Sequence, residues 1–249
     1  ISQVGFEVTC TLQQVKIQKI ISYPKYIIQF LKQFITKTSF QNCIKNCFNL
    51  FKCYDKKVKE VFKKSILITG AATGIGASTV KKISNKNVSL TLTTKSNINK
   101  LKEVADYAKS NGAIVNTIIG DLSKKNFITE LIKLAKKETG KIDQFVSNAG
   151  YASKRKFGEF KSNDLENDLK SMAISFSEIV NLCLEDFKNS NCGRIISVSS
   201  FVNKNIGLND NIFPTTAAAK SALEALTKTL SFQLAKYNVT VNCVSPRIY

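Results

Sequence analysis

The spacing of hydrophobic positions changes character near residue 65. Beyond that point, short apolar runs alternate with longer segments whose apolar residues recur every three to four positions, the two periods that mark strands and helices. The runs predict strands at 66–69, 89–93, 113–119, 144–147, 194–198 and 239–244. The helical period predicts helices at about 74–84, 98–111, 125–139, 164–189 and 216–237. Regular strand–helix alternation implies a parallel sheet covered on both faces, with right-handed crossovers and a ligand at the carboxyl ends of the strands. The expected fold class is therefore α/β, a doubly wound parallel sheet over residues 64–249.

Residues 1–63 do not share that pattern. Ile17, Ile20 and Ile21, then Ile27, Ile28, Leu31, Phe34 and Ile35 beyond Pro24, fall at helical spacing with Lys19, Lys25, Lys32 and Lys37 between them. This predicts a helical, basic, amphipathic extension. Its uninterrupted apolar stretches are far shorter than the ~18 residues of a spanning helix. Three readings stay open: a targeting segment, basic and poor in acids; a helix lying on a membrane surface; or an extension packed on the domain.

Composition narrows the chemistry. The 249 residues are 43% apolar, enough to build a core, and carry a formal charge of +19 from 34 Lys and 3 Arg against 18 acids. The absence of His excludes a histidine base or ligand, and with it most hydrolase and metalloenzyme schemes. Residues 1–64 hold +9 of the charge and the other 185 residues +10. Such a balance suits nucleic acid, anionic lipid or a phosphorylated ligand. Arg and aromatic clusters that would mark a nucleic-acid groove are missing, so no nucleic-acid partner is expected. The seven cysteines are dispersed and predict reduced thiols, as in a reducing intracellular compartment. Cys10, Cys43, Cys47 and Cys53 are too irregularly spaced for a zinc site, and no metal is expected.

The run Ile66-Leu67-Ile68-Thr69-Gly70-Ala71-Ala72-Thr73-Gly74-Ile75-Gly76 is an apolar strand breaking into a glycine-rich turn before a helix. Glycines bend the chain and let backbone N–H groups approach a pyrophosphate, while the positive helix end faces the charge. Downstream follow Asp121-Leu122, Ser147-Asn148-Ala149-Gly150, Gly193-Arg194-Ile195 leading to Ser199-Ser200, the helix with Lys220, and Val241-Asn242-Cys243-Val244-Ser245-Pro246. In this order and spacing the set resembles the short-chain dehydrogenase/reductase family, with its T-G-x-x-x-G-x-G, N-N-A-G, G-R-I with serine, Y-x-x-x-K and late V-N-x-V-x-P-G.

The resemblance implies a Rossmann fold and an oxidoreductase that moves a hydride between nicotinamide and a carbonyl or alcohol, a 3-oxoacyl thioester being one candidate substrate. Gly70, Thr73, Gly74, Ile75 and Gly76 then hold the pyrophosphate, Asp121 and Leu122 the adenine, Asn148, Ala149 and Gly150 the region beside the ribose, and Lys220 the ribose. After the second predicted strand stands Thr93-Thr94-Lys95-Ser96, without the carboxylate that accepts from a ribose 2′-hydroxyl. Lys95, with Thr94 or Ser96, instead suits a 2′-phosphate, so NADP is expected over NAD.

Ser200, neighboured by Ser199, and Lys220 match the family's serine and lysine. Position 216, where the family has the proton-donating tyrosine, is threonine. An aliphatic hydroxyl is a far weaker proton donor than a phenol, so Thr216 does not simply replace tyrosine. The family's helix asparagine corresponds to Asp168, with Asn167 one residue off. The late Pro-Gly reads Pro246-Arg247, and the chain ends at Tyr249, where a C-terminal truncation is expected. Two readings stand: a reductase whose proton comes from water, Thr216 or another group, or a silent nucleotide-binding or scaffold protein. The resemblance also implies a homo-oligomer paired through the helices at 164–189 and 216–237.

Overall fold

Lys64–Thr69 (β2) shows how the sheet divides its side chains: Ile66 and Ile68 pack on one face and Leu67 on the other, all nearly inaccessible. Strands buried on both faces read as continuous apolar runs, as this one does. The structure is a computed structural model, and it describes residues 4–9, 63–205 and 211–248.

Following β2 come α1 (Gly74–Ile83), β3 (Val88–Thr94), α2 (Ile98–Ser110), β4 (Ile114–Ile119), α3 (Lys125–Ala135) and β5 (Gln144–Ser147). Next are α4 (Ser162–Leu169), a π-helical turn (Lys170–Ile174), α5 (Ser175–Lys188), β6 (Arg194–Val198), a 3-10 turn (Phe201–Asn203), α6 (Pro214–Leu234) and β7 (Thr240–Ile248). The sheet order is β1-β7-β6-β5-β2-β3-β4, where β1 is Val4–Thr9. The six strands from β2 to β7 are mutually parallel, as the alternation predicts. The order reverses between β2 and β5, which opens a crevice at the carboxyl ends of the strands.

Two apolar layers sandwich the sheet. On one face Ile66, Ile68, Leu90 and Leu92 meet Val80 of α1 and Leu101, Val104, Ala105 and Ala108 of α2. On the other Leu67, Phe145, Ile195 and Val241 meet Ile128 and Leu131 of α3, Phe176 and Ile179 of α5, and Leu223 and Leu230 of α6. Phe145 and Phe176 stack with centroids 5.9 Å apart. Away from the crevice, the buried Asp143 carboxylate ties three segments, accepting from Ser65 N and Ser190 Oγ and pairing with Lys141.

Three features differ from the sequence expectation. Val4–Thr9, for which the pattern predicts no element, is a strand, antiparallel to β7 with Val4 opposite Ile248 and Thr9 opposite Cys243. The helix expected over 164–189 begins at Ser162 and is interrupted by the π turn. β7 runs through Pro246-Arg247 to Ile248 instead of ending at 244, and this added stretch is the part that pairs with Val4–Glu7 of β1. The helices expected within 17–35 and the cysteines at 10, 43, 47 and 53 lie outside the described residues. Among the described residues no helix is long and apolar enough to cross a membrane.

Candidate active site

The carboxyl ends of the parallel strands enclose one open cleft of about 450 Å³. At its centre β2 turns sharply into α1. Gly70 adopts φ +65° and Gly74 φ +55°, backbone that favours glycine. Gly76 sits in the first turn of α1 against the Gly70 carbonyl, and a Cβ there would fall onto that oxygen and the Asn148 amide. A Cβ on Gly70 would meet Ala149 Cα at 2.8 Å. The turn is thus a cradle only glycine permits. Gly70, Thr73, Gly74 and Ile75 line the cleft while Gly76 packs beneath it. Thr73, at the N-cap of α1, makes no side-chain cap bond, and the first turn of α1 has no acid, so this helix end is open to a phosphate. The residues fit a dinucleotide.

Asn148 holds the turn from the β5 side. Its Nδ2 donates to the carbonyls of Thr69 (3.1 Å) and Gly70 (2.9 Å), and the backbone N–H groups of Asn148 and Ala149 both donate to Thr69 Oγ1. Asn148 and Ala149 therefore position the glycine turn as well as lining the cleft.

At the β3–β4 end, Lys95 Nζ pairs with Asp121 Oδ2 at 2.8 Å, and Asp121 Oδ1 accepts from Ser123 N at 2.9 Å. Burial raises the Asp121 carboxyl, but the hydrogen bonds from Lys95 and Ser123 outweigh it and hold the group below its ordinary range. Thr94, Lys95, Asp121 and Leu122 all line this part of the cleft. Lys95 remains largely exposed at 70%, within reach of solvent and of any anion entering there.

The opposite end gathers Gly150, Ser200, Thr216 and Lys220. Ser199 Oγ donates to Glu224 at 2.5 Å and so serves the packing of β6 on α6. Ser200 Oγ accepts from Val202 N at 3.4 Å, which leaves its proton available to a ligand. Lys220, one turn after Thr216 on α6, is 5% exposed. Its Nζ donates to Val198 O at 2.7 Å, and a Cβ on Gly150 would come within 2.8 Å of it. Burial pushes the Lys220 ammonium down to about 8, with neighbouring Cys243 opposing the shift.

Thr216 lines the cleft, yet its hydroxyl is engaged: Oγ1 accepts from Ser153 N at 2.9 Å and donates to Tyr151 O at 3.4 Å. It fastens the segment after Gly150 to α6. Asp168 is the one expected site residue at this end that does not line the cleft. It lies behind, 2% exposed, with Oδ2 lacking a hydrogen-bond partner. The helix residue that reaches the cleft is Ser171, in the π turn, where the widened turn changes the register of side chains.

Tyr151 was not expected from the sequence. It lines the cleft directly after Gly150, and burial, then the neighbouring Asp168 carboxylate, push its phenol up to about 12. Its place next to a strand-end motif was the available signal. Among the described residues no His, Cys, Asp and Glu group could hold a metal ion.

Residues 64–249 match a family model described as short chain dehydrogenase. The 3-oxoacyl-[acyl-carrier-protein] reductase of Rickettsia prowazekii is 32% identical over 190 residues, 74% of this chain and 71% of its own. The NADPH-dependent reductase BacG of Bacillus subtilis is 26% identical over 186 residues, 74% of this chain and 70% of its own. Among solved structures, L-sorbose reductase from Gluconobacter frateurii complexed with NADPH and L-sorbose aligns with TM-score 0.65 at 19% identity, covering 73% of this chain and 68% of that one. That likeness is one of fold.

Proposed function

The chain belongs to the short chain dehydrogenase family, and on that premise we propose that it is an NADP-dependent reductase of a carbonyl substrate, a 3-oxoacyl thioester being the first class to test. The observation that carries this reading is the single cleft. It joins the glycine cradle, a lysine at the end of β3 where a 2′-phosphate would lie, and the Ser200–Lys220 pair. Two relatives, an NADPH-dependent reductase and a 3-oxoacyl reductase, support the cofactor and substrate class.

The bound nicotinamide nucleotide supplies the hydride. The chain's own residues do the rest. The Gly70–Gly76 turn and the N-terminus of α1 bind the pyrophosphate through backbone N–H groups. Lys95 exchanges Asp121 for the 2′-phosphate, and Asn148 keeps the turn in shape. Lys220 lies beside Gly150 to hold the ribose, and the Ser200 hydroxyl donates to the substrate oxygen.

One observation favours a second reading, a silent nucleotide-binding protein: the hydroxyl at position 216 is engaged with two backbone groups. Fluorescence titration with NADPH and NADH, followed by oxidation with a panel of ketones and 3-oxoacyl thioesters, separates the two. The reductase reading requires tighter binding of NADPH and turnover with at least one carbonyl. Binding without turnover across the panel supports the silent one.

A further inference from the structure

We propose that Lys220 itself delivers the proton that completes carbonyl reduction in this chain, the substrate oxygen taking it from Nζ while Ser200 provides the second hydrogen bond. The inference rests on the reductase reading and assigns the step that the threonine at position 216 leaves without a donor.

The geometry sets the competing side chains aside. Thr216 shares the helix face of Lys220 and lines the cleft, but its hydroxyl is held between Ser153 N and Tyr151 O. Ser199 is bound to Glu224. Tyr151 has a phenol in the cleft, half exposed, which partial burial and then the Asp168 carboxylate make a poorer acid. Lys220 also lines the cleft, and its Nζ donates to Val198 O. An ammonium has three protons, so two remain for ligands. Threonine at 216 puts no ring at the position one turn before Lys220.

The acidity agrees. Burial pulls the Lys220 ammonium down to about 8 while the Tyr151 phenol is raised, so the lysine is the stronger acid of the two, and at neutral pH about nine-tenths of it is charged. The titratable group that acts on Nζ is Cys243 from β7, with Glu224, one turn along α6 and engaged with Ser199, beside that thiol; Tyr151, with Asp168 behind it, lines the same cleft. The Cys243 thiol, raised by burial, stays neutral beside Lys220.

The step balances. As the carbonyl carbon accepts a hydride from the reduced nicotinamide, the C=O π pair moves to oxygen, an O–H bond forms and one Nζ–H bond breaks. The carbonyl is reduced, the nicotinamide oxidised, and Lys220 is left as a neutral amine that regains a proton from water at the open mouth of the cleft.

The test uses the full chain and three variants. In the wild type, the kcat of carbonyl reduction should fall with a single ionisation near pH 8, following loss of the Lys220 proton. Lys220→Arg keeps a positive charge beside the ribose but cannot release it below pH ~12. NADPH affinity by fluorescence should stay within about threefold, while kcat drops on the order of 100-fold and the limb near pH 8 disappears. Lys220→Met provides the smaller replacement should arginine disturb folding, with the same loss of kcat. Lys102→Ala, an exposed side chain of α2 outside the cleft, controls for general handling.

A readout independent of turnover is the pH dependence of acylation at Lys220 by acetic anhydride, followed by peptide mass spectrometry. Its midpoint should lie near 8 and labelling should fall when NADPH is bound. A midpoint above about 10, the ordinary lysine range, overturns the proposal. So does a Lys220→Arg variant that retains kcat and the same alkaline limb, and in that case the reductase reading survives. Wild-type chain that binds NADPH and reduces nothing in the panel overturns both.

Discussion

Lys220→Met tests the buried ammonium through stability alone. The residue is 5% exposed, and its pKa in the fold, about 8, lies below the ordinary 10.5. Between those values the unfolded chain holds the proton and the folded chain does not, so stability rises with pH across that interval. The 2.5-unit gap from 10.5 to about 8 corresponds to a cost of about 3 kcal/mol when the group is charged at pH 7. At pH 9.5 about 1 kcal/mol of that cost remains, so the wild type recovers about 2 kcal/mol between the two conditions. Methionine has no such term. It also leaves Val198 O without its donor, a loss of about 1 kcal/mol that does not vary with pH. Urea unfolding should therefore find the variant more stable than the wild type by about 2 kcal/mol at pH 7 and roughly equal at pH 9.5. If the difference between the two proteins is the same at both pH values to within about 0.5 kcal/mol, Lys220 does not carry a depressed pKa and the reasoning fails.

Three further outcomes follow from the cleft. Gly76→Ala places a methyl group on the Gly70 carbonyl, a displacement costing about 1–3 kcal/mol, and NADPH affinity by fluorescence should fall about tenfold to a hundredfold; unchanged affinity contradicts the cradle. Lys95→Ala should weaken NADPH by about tenfold, in a salt-dependent manner, and leave NADH little changed. Its exposed pair with Asp121 should cost under ~1 kcal/mol of stability, and equal losses for both nucleotides would show that Lys95 does not meet the 2′-phosphate. Thr216→Tyr restores a phenol one turn from Lys220 and should raise kcat about tenfold or more; a folded variant that binds NADPH with lower kcat rejects that arrangement.

The sheet was legible because its strands are buried on both faces. Ile66-Leu67-Ile68 and Leu90-Thr91-Leu92 can only be central strands, and the glycine turn follows from local backbone demands at Gly70 and Gly74. What was not legible depends on distant partners. Val4–Thr9 becomes a strand by pairing with residues more than 230 positions away, although its apolar residues Val4, Phe6 and Val8 alternate. The π turn at Lys170–Ile174 is a shift of hydrogen-bond register with no compositional mark, and it brings Ser171 to the cleft where Asp168 was expected. The sequence showed that Thr216 lacks a phenol. Only the structure shows that its hydroxyl is bound to Ser153, 63 positions earlier. Lys95 and Asp121 were expected to meet the same nucleotide, and their ion pair with one another is visible only once β3 and β4 are side by side.

The central claim is that hydride transfer proceeds in a cleft whose position 216 is threonine. Its most direct test is a single-turnover reaction of the full chain with NADPH deuterated at the transferring position of the nicotinamide and a 3-oxoacyl thioester, the product being analysed by mass spectrometry. The account predicts an alcohol one mass unit heavier, with one deuterium on the former carbonyl carbon. NADPH that binds in the cleft while, across the carbonyl panel, no deuterated alcohol forms would contradict it and leave a nucleotide-binding protein without reductase chemistry.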